Sequence, residues 1–212
     1  MGLQIVDKLI ANNKKWAEET NRNSPGFFDK LAKQQHPEML WIGCADSRVP
    51  ANTIAGVMPG EVFVHRNVAN LVVNTDFNCL SVMQYAVEVL KVKYVIVCGH
   101  YNCGGVKAAL DGKQFGLIDN WLANIRDVYK EHKEEIYKLD SYDERFDRLC
   151  ELNVRQQVYN VCHTTIVQNA WARGQELTVC GVIYDVADGL LKDLDVVVNS
   201  KELLNEVYLV DK

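Results

Sequence analysis

The sequence predicts an α/β fold with a mainly parallel central sheet of about four strands, an antiparallel edge strand and flanking helices. Three observations carry this. Met39–Gly43, Tyr94–Cys98 and Leu177–Tyr184 are short, nearly continuous apolar runs, the pattern of strands buried on both faces. They alternate with stretches of helical period, which implies right-handed crossovers between parallel strands. The last run leads through Ala187-Asp188-Gly189, a turn signal, into Asp193–Val198, so the final strand returns antiparallel.

Composition narrows the class. The chain has 212 residues, 48% hydrophobic and 24% charged, enough apolar material for one large core. One domain is expected, with an N-terminal helical arm over 1–35 and an α/β core over 36–212. The formal net charge of -5, with dispersed lysines and arginines, excludes a general nucleic-acid binder. No apolar run approaches the roughly 18 residues of a membrane helix. Met1-Gly2-Leu3-Gln4-Ile5-Val6 has no basic segment followed by an apolar stretch, and Val6 stands where myristoylation wants Ser or Thr. A cytoplasmic location is expected. Seven cysteines, an odd number, do not form a disulfide framework, so they are thiols or metal ligands. Cys79, Cys150, Cys162 and Cys180 sit among apolar residues and are expected to serve packing only.

Residues 3–21 form an amphipathic helix, with Leu3, Val6, Leu9, Ile10 and Trp16 near helical spacing. It packs on the domain's edge or embraces a partner subunit. Ser24-Pro25-Gly26 breaks it, and Phe27–Gln35 forms a second helix. Met39–Gly43 is the first strand, followed by a loop and short helix over Ser47–Gly56. Val62–His65 is the second strand and runs into Arg66-Asn67-Val68-Ala69-Asn70. A helix starts at Asp76 or Asn78 and continues to Lys91. Tyr94–Cys98 is the third strand, Gly99–Gly105 a loop, and Val106–Leu110 a helix stopped by Asp111-Gly112. Longer helical regions cover 117–138 and 143–173. Leu177–Tyr184 is the fourth strand, and the tail after Ser200 adds at most a helical turn.

In an open parallel sheet, ligands bind beyond the carboxyl ends of the strands. Cys44 ends the first strand, His65 the second and His100 the third, so Cys44, His100 and Cys103 converge at one edge. Two thiolates and an imidazole suit zinc, and three protein ligands with an open fourth position is the catalytic pattern. A structural zinc takes four ligands in closely spaced pairs, and only one short pair exists here. Cys98, two residues behind His100, is a rival ligand better placed in the core. Cys44, Asp46 and Arg48 stand at alternate positions, so an extended chain would send them to the same side. Two thiolates cancel the zinc charge, and a carboxylate beside the metal-bound water then helps hold hydroxide. Asp46 can do this, or it can bind the zinc and close the fourth position. Arg48 can draw it off with a bidentate fork. The plain alternative is a loop salt bridge with no catalytic part.

Three motifs in order, Cys44-Ala45-Asp46-Ser47-Arg48, His65-Arg66-Asn67-Val68-Ala69-Asn70 and Gly99-His100-Tyr101-Asn102-Cys103-Gly104, resemble those of the β-class carbonic anhydrases. The resemblance covers nearly the whole chain. It implies one Zn2+ per chain on Cys44, His100 and Cys103, an Asp46–Arg48 dyad, and interconversion of carbon dioxide and bicarbonate. Zinc hydroxide is then the nucleophile, aimed by a hydrogen bond to Asp46. It also implies an obligate homodimer, often a dimer of dimers, with the N-terminal helix wrapping the neighbour. Within the class, the chain is similar to bacterial members inhibited by bicarbonate at a second site. Trp41, Gly43, Arg66 and Tyr184, with Val49 beside the dyad, match that pocket; otherwise Trp41 and Tyr184 are core aromatics. His65 is expected to be structural rather than a proton shuttle. The rival of a different kind is a non-catalytic zinc or thiol binding module on the same fold. A nucleotide-binding domain lacks its glycine-rich loop here, and a thiol-redox enzyme its Cys-x-x-Cys.

Overall fold

The computed structural model describes residues 2–33 and 35–210. They fall into two compact units, one up to His36 and one from Pro37. In the first unit, α1 (Gly2–Asn23) is two residues longer than predicted at its C-terminal end, and α2 (Phe27–Lys33) follows a turn. Gln34, inside the predicted second helix, lies outside the described residues, as does the Leu3 side chain. Trp16 meets Phe28 edge-on at 5.4 Å between ring centres. Ile5, Val6, Leu9 and Ile10, on the apolar stripe of α1, are exposed among the described residues.

The second unit is built on a five-stranded sheet in the order β2-β1-β3-β4-β5. Its strands are β1 (Met39–Cys44), β2 (Val62–Asn67), β3 (Tyr94–His100), β4 (Thr178–Tyr184) and β5 (Leu191–Val198). The first four are parallel and β5 runs antiparallel to β4, as the run-and-turn pattern predicted. Three strands outrun their apolar letters. The second continues to Asn67 and the third to His100, and the edge strand begins at Leu191. Polar residues at those ends kept their ladder bonds while their side chains turned to other work.

The helices are α3 (Ala51–Ala55), α4 (Phe77–Gln84), α5 (Gly104–Asp111), α6 (Ile118–Glu131), α7 (Lys133–Tyr137), α8 (Tyr142–His163) and α9 (Thr165–Ala172). Both long predicted helices are broken. His132, at φ -100°, ψ 16°, separates α6 from α7. Thr164 leaves helical geometry at ψ 146° and caps α9 through its side chain, which accepts from the Val167 amide. Neither break carries Gly or Pro, so periodicity alone ran through them. A π-turn over Tyr85–Val89 extends α4 towards the predicted Lys91.

Successive strand residues face opposite sides. One face carries Leu40, Ile42, Val95, Val97, Val179 and Ile183 into the main core, against Met83 and the buried side of α8. That packing is close: a Cβ on Gly99 would lie 2.4 Å from Val154 Cγ2 of α8, so only glycine admits the helix there. The opposite face holds a small cluster of Trp41, Cys98 and Ala51 beneath α3. Val64, Tyr94 and Val197 on that face remain exposed.

Candidate metal centre

The centre forms where β1 and β3 end side by side. Gly43 pairs with Cys98, which puts Cys44 and His100 at neighbouring strand ends. Past His100 the chain turns through Asn102, held at φ 58°, and Cys103 becomes the N-cap of α5. The turn returns Cys103 to within 3.9 Å, sulfur to sulfur, of Cys44. Two sulfurs held tetrahedrally at about 2.3 Å from one zinc lie about 3.8 Å apart, so the pair is already spaced for it. The donor atoms of Cys44, His100 and Cys103 all lie within 4.8 Å of one another, and all three residues are buried.

His100 is oriented by its neighbour. Its Nδ1 lies 2.9 Å from the Tyr101 carbonyl, which can only accept, so Nδ1 carries the proton and Nε2 the lone pair. Nε2 is buried without a hydrogen-bond partner among the described residues. A buried acceptor left orphaned costs about 1–3 kcal/mol. A metal ion bound between Nε2 and the two sulfurs would satisfy it. The residues present fit zinc in donor type, spacing and tautomer.

The sulfurs share their charge unequally. The Cys44 thiol is drawn down, chiefly by its hydrogen bond with Cys103 and against the opposing effect of burial, with further help from His100 and from backbone amides. Cys103 is pushed up by the Cys44 thiolate and by burial. The amides of Asp46 and Ala69 each donate to Cys44 Sγ at 3.4 Å.

Asp46 and Arg48 join this edge by a different route from the one alternation suggested. Extended geometry ends with β1. The Val49 amide donates to the Asp46 carbonyl, and the Arg48 amide to Asp46 Oδ1 at 2.9 Å, closing a turn around the carboxylate. The guanidinium then forks onto it, Nε to Oδ1 at 2.9 Å and Nη2 to Oδ2 at 2.7 Å. Arg48 holds the Asp46 carboxyl well below the usual carboxylate range. Asp46 Oδ2 stands 3.9 Å from His100 Nε2, beside the place all three donors face.

Trp41, Arg66 and Tyr184 of the expected second pocket lie on the other sheet face, spread over three strands. Arg66 pairs in register with Gly43. Its Nε donates to the Cys44 carbonyl at 2.8 Å and its Nη2 to the Asp46 carbonyl at 2.5 Å. Trp41 is buried, with Nε1 only 2.6 Å from where a Cβ on Gly43 would sit, so the indole needs glycine there. Tyr184 packs half-buried against the Trp41 cluster, with β1 and β3 between its strand and that of Arg66. Val49 is buried in the turn.

His65 lies one strand away from the centre. The Asn67 amide is pinned by Leu71, taking its N–H on Oδ1 and giving one N–H to its carbonyl. The second Asn67 N–H then points to His65 Nε2 at 3.2 Å. Nε2 is therefore an acceptor, and Nδ1 carries the proton. Burial lowers the His65 pKa further. A neutral ring fixed this way is a poor proton carrier; Asp76 and Cys79 lie close by, within 4.8 Å by their donor atoms. Cys98 is buried among the Trp41 cluster, donates to the Gly99 carbonyl, and stands apart from the other donors.

Sequence reasoning passed over three supports. Ala69 supplies an amide to Cys44. Tyr101 supplies the carbonyl that orients His100, and Glu151 of α8 accepts the Tyr101 hydroxyl at 2.8 Å. A backbone contribution leaves no side-chain signal, and Glu151 reads as an ordinary exposed helix residue. The other cysteines behave as packing residues: Cys79, Cys150 and Cys162 are buried and Cys180 half-buried.

Fold and centre together define an α/β protein whose strand ends carry a buried Cys-His-Cys cluster able to hold a metal, beside a carboxylate held by a guanidinium. Comparison with known proteins sharpens this. The carbonic anhydrase family profile matches residues 39–191. A carbonic anhydrase of Emericella nidulans is 49% identical over 193 residues, covering 91% of this chain and 85% of that protein. One from Saccharomyces cerevisiae is 38% identical, covering 88% and 87%. The β-carbonic anhydrase of Coccomyxa, solved in complex with acetazolamide, superposes with a TM-score of 0.88 at 46% identity, covering 92% of this chain and 88% of that one. The chain belongs to the β-class carbonic anhydrases. It is an enzyme of that activity, and its Cys-His-Cys cluster is able to hold a metal.

Proposed function

We propose that this chain catalyses the reversible hydration of carbon dioxide to bicarbonate and a proton, with one zinc held by Cys44, His100 and Cys103. The observation that carries this is the orphaned, buried His100 Nε2 facing two sulfurs 3.9 Å apart. When bound, zinc supplies a Lewis acid that ionises water near neutral pH. The protein supplies the rest. Asp46, ionised and held by Arg48, accepts a hydrogen bond from the reacting water and fixes which lone pair faces the substrate. Arg48 keeps the same carboxylate off the open metal position. His100 holds its proton on Nδ1 throughout, so it donates a lone pair and takes no part in proton transfer.

The test is stopped-flow carbon dioxide hydration on zinc-loaded, chelator-stripped and His100→Ala protein. Activity that follows zinc content and disappears in the variant supports the reading. Zinc retained at one per chain with no hydration at any pH would favour a non-catalytic zinc module instead.

We propose in addition a second anion site and self-association. Bicarbonate inhibits at a second site formed by Trp41, Gly43, Arg66 and Tyr184, with Val49 adjacent. One contact favours this: Arg66 grips the carbonyls of Cys44 and Asp46. An anion that draws Arg66 away would slacken the turn carrying the dyad and let Asp46 reach the metal. Hydration would then show sigmoidal inhibition by bicarbonate, and Trp41→Phe with Tyr184→Phe would abolish it. An unchanged response in the variant removes the pocket. Self-association as a dimer or dimer of dimers accounts for the bare stripe of α1 and the exposed Val64, Tyr94 and Val197. Tetrameric β-carbonic anhydrases of Sordaria macrospora, 41% identical with a TM-score of 0.86 and coverage of 92% and 99%, support it. Seven free thiols fit a reducing compartment such as the cytoplasm. Among the described residues, no helix is long and apolar enough to cross a membrane.

A further inference from the structure

The apolar side of α8 is interrupted by Asn153 and Gln157, each 1% exposed. Polar groups in a core persist where they hold something in place. These two reach across to the segment after β2. Asn153 Nδ2 donates to the Ala69 carbonyl at 3.0 Å, and Gln157 Oε1 accepts from the Val72 amide at 2.8 Å. Gln157 Nε2 donates to Asn153 Oδ1 at 3.0 Å, which fixes the way the Asn153 amide points. Asn160, one turn further along, donates to the Val72 carbonyl at 2.9 Å and to Gln157 Oε1 at 3.0 Å.

The segment they hold is strained. Ala69 and Asn70 have φ of 65° and 49°, a region that alanine rarely enters. Ala69 is fully buried. In this conformation its carbonyl faces α8 while its amide faces the metal centre, where it donates to Cys44 Sγ at 3.4 Å. Such a conformation persists only where its surroundings over-determine it.

We infer that Asn153, oriented by Gln157, is a positioning residue that locks the left-handed Ala69 backbone through its carbonyl, so that the Ala69 N–H, in the preceding peptide unit, stays on the Cys44 sulfur and tunes it. This rests on the proposed zinc site. An N–H directed at a metal-bound sulfur withdraws electron density from it and leaves the metal the better Lewis acid.

The test is Asn153→Asp, which keeps shape and reverses the group facing the Ala69 carbonyl, with Asn160→Ala as control because it loses the bonds to Val72 and to Gln157 Oε1 and leaves both Asn153 bonds, to Ala69 and from Gln157 Nε2, in place. Three readouts apply: Ala69 amide exchange in metal-free protein, zinc affinity by chelator competition, and the sulfur-to-metal charge-transfer band after cobalt substitution. Asn153→Asp is expected to speed exchange at Ala69, weaken zinc about 10-fold and move the band to lower energy. Asn160→Ala should leave band and affinity near the parent values. If Asn153→Asp does not fold, lactate in place of Ala69 removes the same N–H and should move the band in the same direction. An unmoved band in either protein, or an equal shift in Asn160→Ala, overturns the assignment. The exchange readout needs no metal, so failure of the zinc reading would be distinguishable from failure of this one.

Discussion

Replacing Arg48 with Met removes the guanidinium fork and keeps much of the side-chain bulk. In the structure Asp46 then retains one restraint, the Arg48 backbone amide at 2.9 Å on Oδ1. It loses two charge-assisted bonds, at 2.9 and 2.7 Å. Such bonds net roughly 1.5–3 kcal/mol each when shielded. The Arg48 side chain is 49% exposed, so water screens the pair, and about 1.5–2 kcal/mol for both together is the appropriate scale. That corresponds to a shift of about 10–30-fold towards Asp46 competing for the open metal position, which Oδ2 already approaches at 3.9 Å from His100 Nε2. Hydration measured by stopped flow near neutral pH should fall by that factor. It should recover partly in alkali, where hydroxide competes better with the carboxylate. In an Asp46→Asn background the same change should cost less than about 2-fold, since no carboxylate remains to restrain. Equal losses in both backgrounds would refute the latch and leave Arg48 a loop contact.

Two further predictions follow from contacts around the site. Tyr101→Phe removes the hydroxyl bond to Glu151 but keeps the ring under Lys192, 4.9 Å from its centre. The Tyr101 carbonyl should then hold His100 less firmly, and zinc affinity by chelator competition should drop up to about 10-fold; an unchanged affinity would show that the peptide is fixed by its other contacts. Burial lowers the pKa of His65 and of His163, the latter stacked 3.9 Å from Tyr208. The unfolded chain therefore binds protons first, so melting temperature should fall as pH drops below about 6.5, with His163→Phe flattening part of the slope. A pH-independent melt in this range would contradict neutral burial of these rings.

Much of this was legible in the sequence because strands advertise burial and the ligands stand at strand ends. Apolar runs at 39–43, 94–98 and 177–184 located three parallel strands, and the turn at 187–189 reversed the last one. Cys44 and His100 became neighbours by topology alone. What escaped was set by backbone geometry that side-chain patterns do not encode. Asp46 and Arg48 share an extended spacing, yet a turn closed by the Asp46 carboxylate unites them. The breaks at His132 and Thr164 occur in residues that helices tolerate. The left-handed Ala69 has no letter to announce it. Its signature lay on another element, in Asn153 and Gln157, polar residues inside an apolar helical stripe.

The identity of the metal's protein donors decides whether Cys44, His100 and Cys103 hold zinc. Zinc-edge X-ray absorption of the loaded protein in mild alkali measures them without reference to activity. Two sulfurs at about 2.3 Å with two lighter neighbours at about 2.0 Å are predicted, from Cys44 and Cys103, the His100 ring and an open position taken by solvent. Four sulfurs, or none, would contradict it.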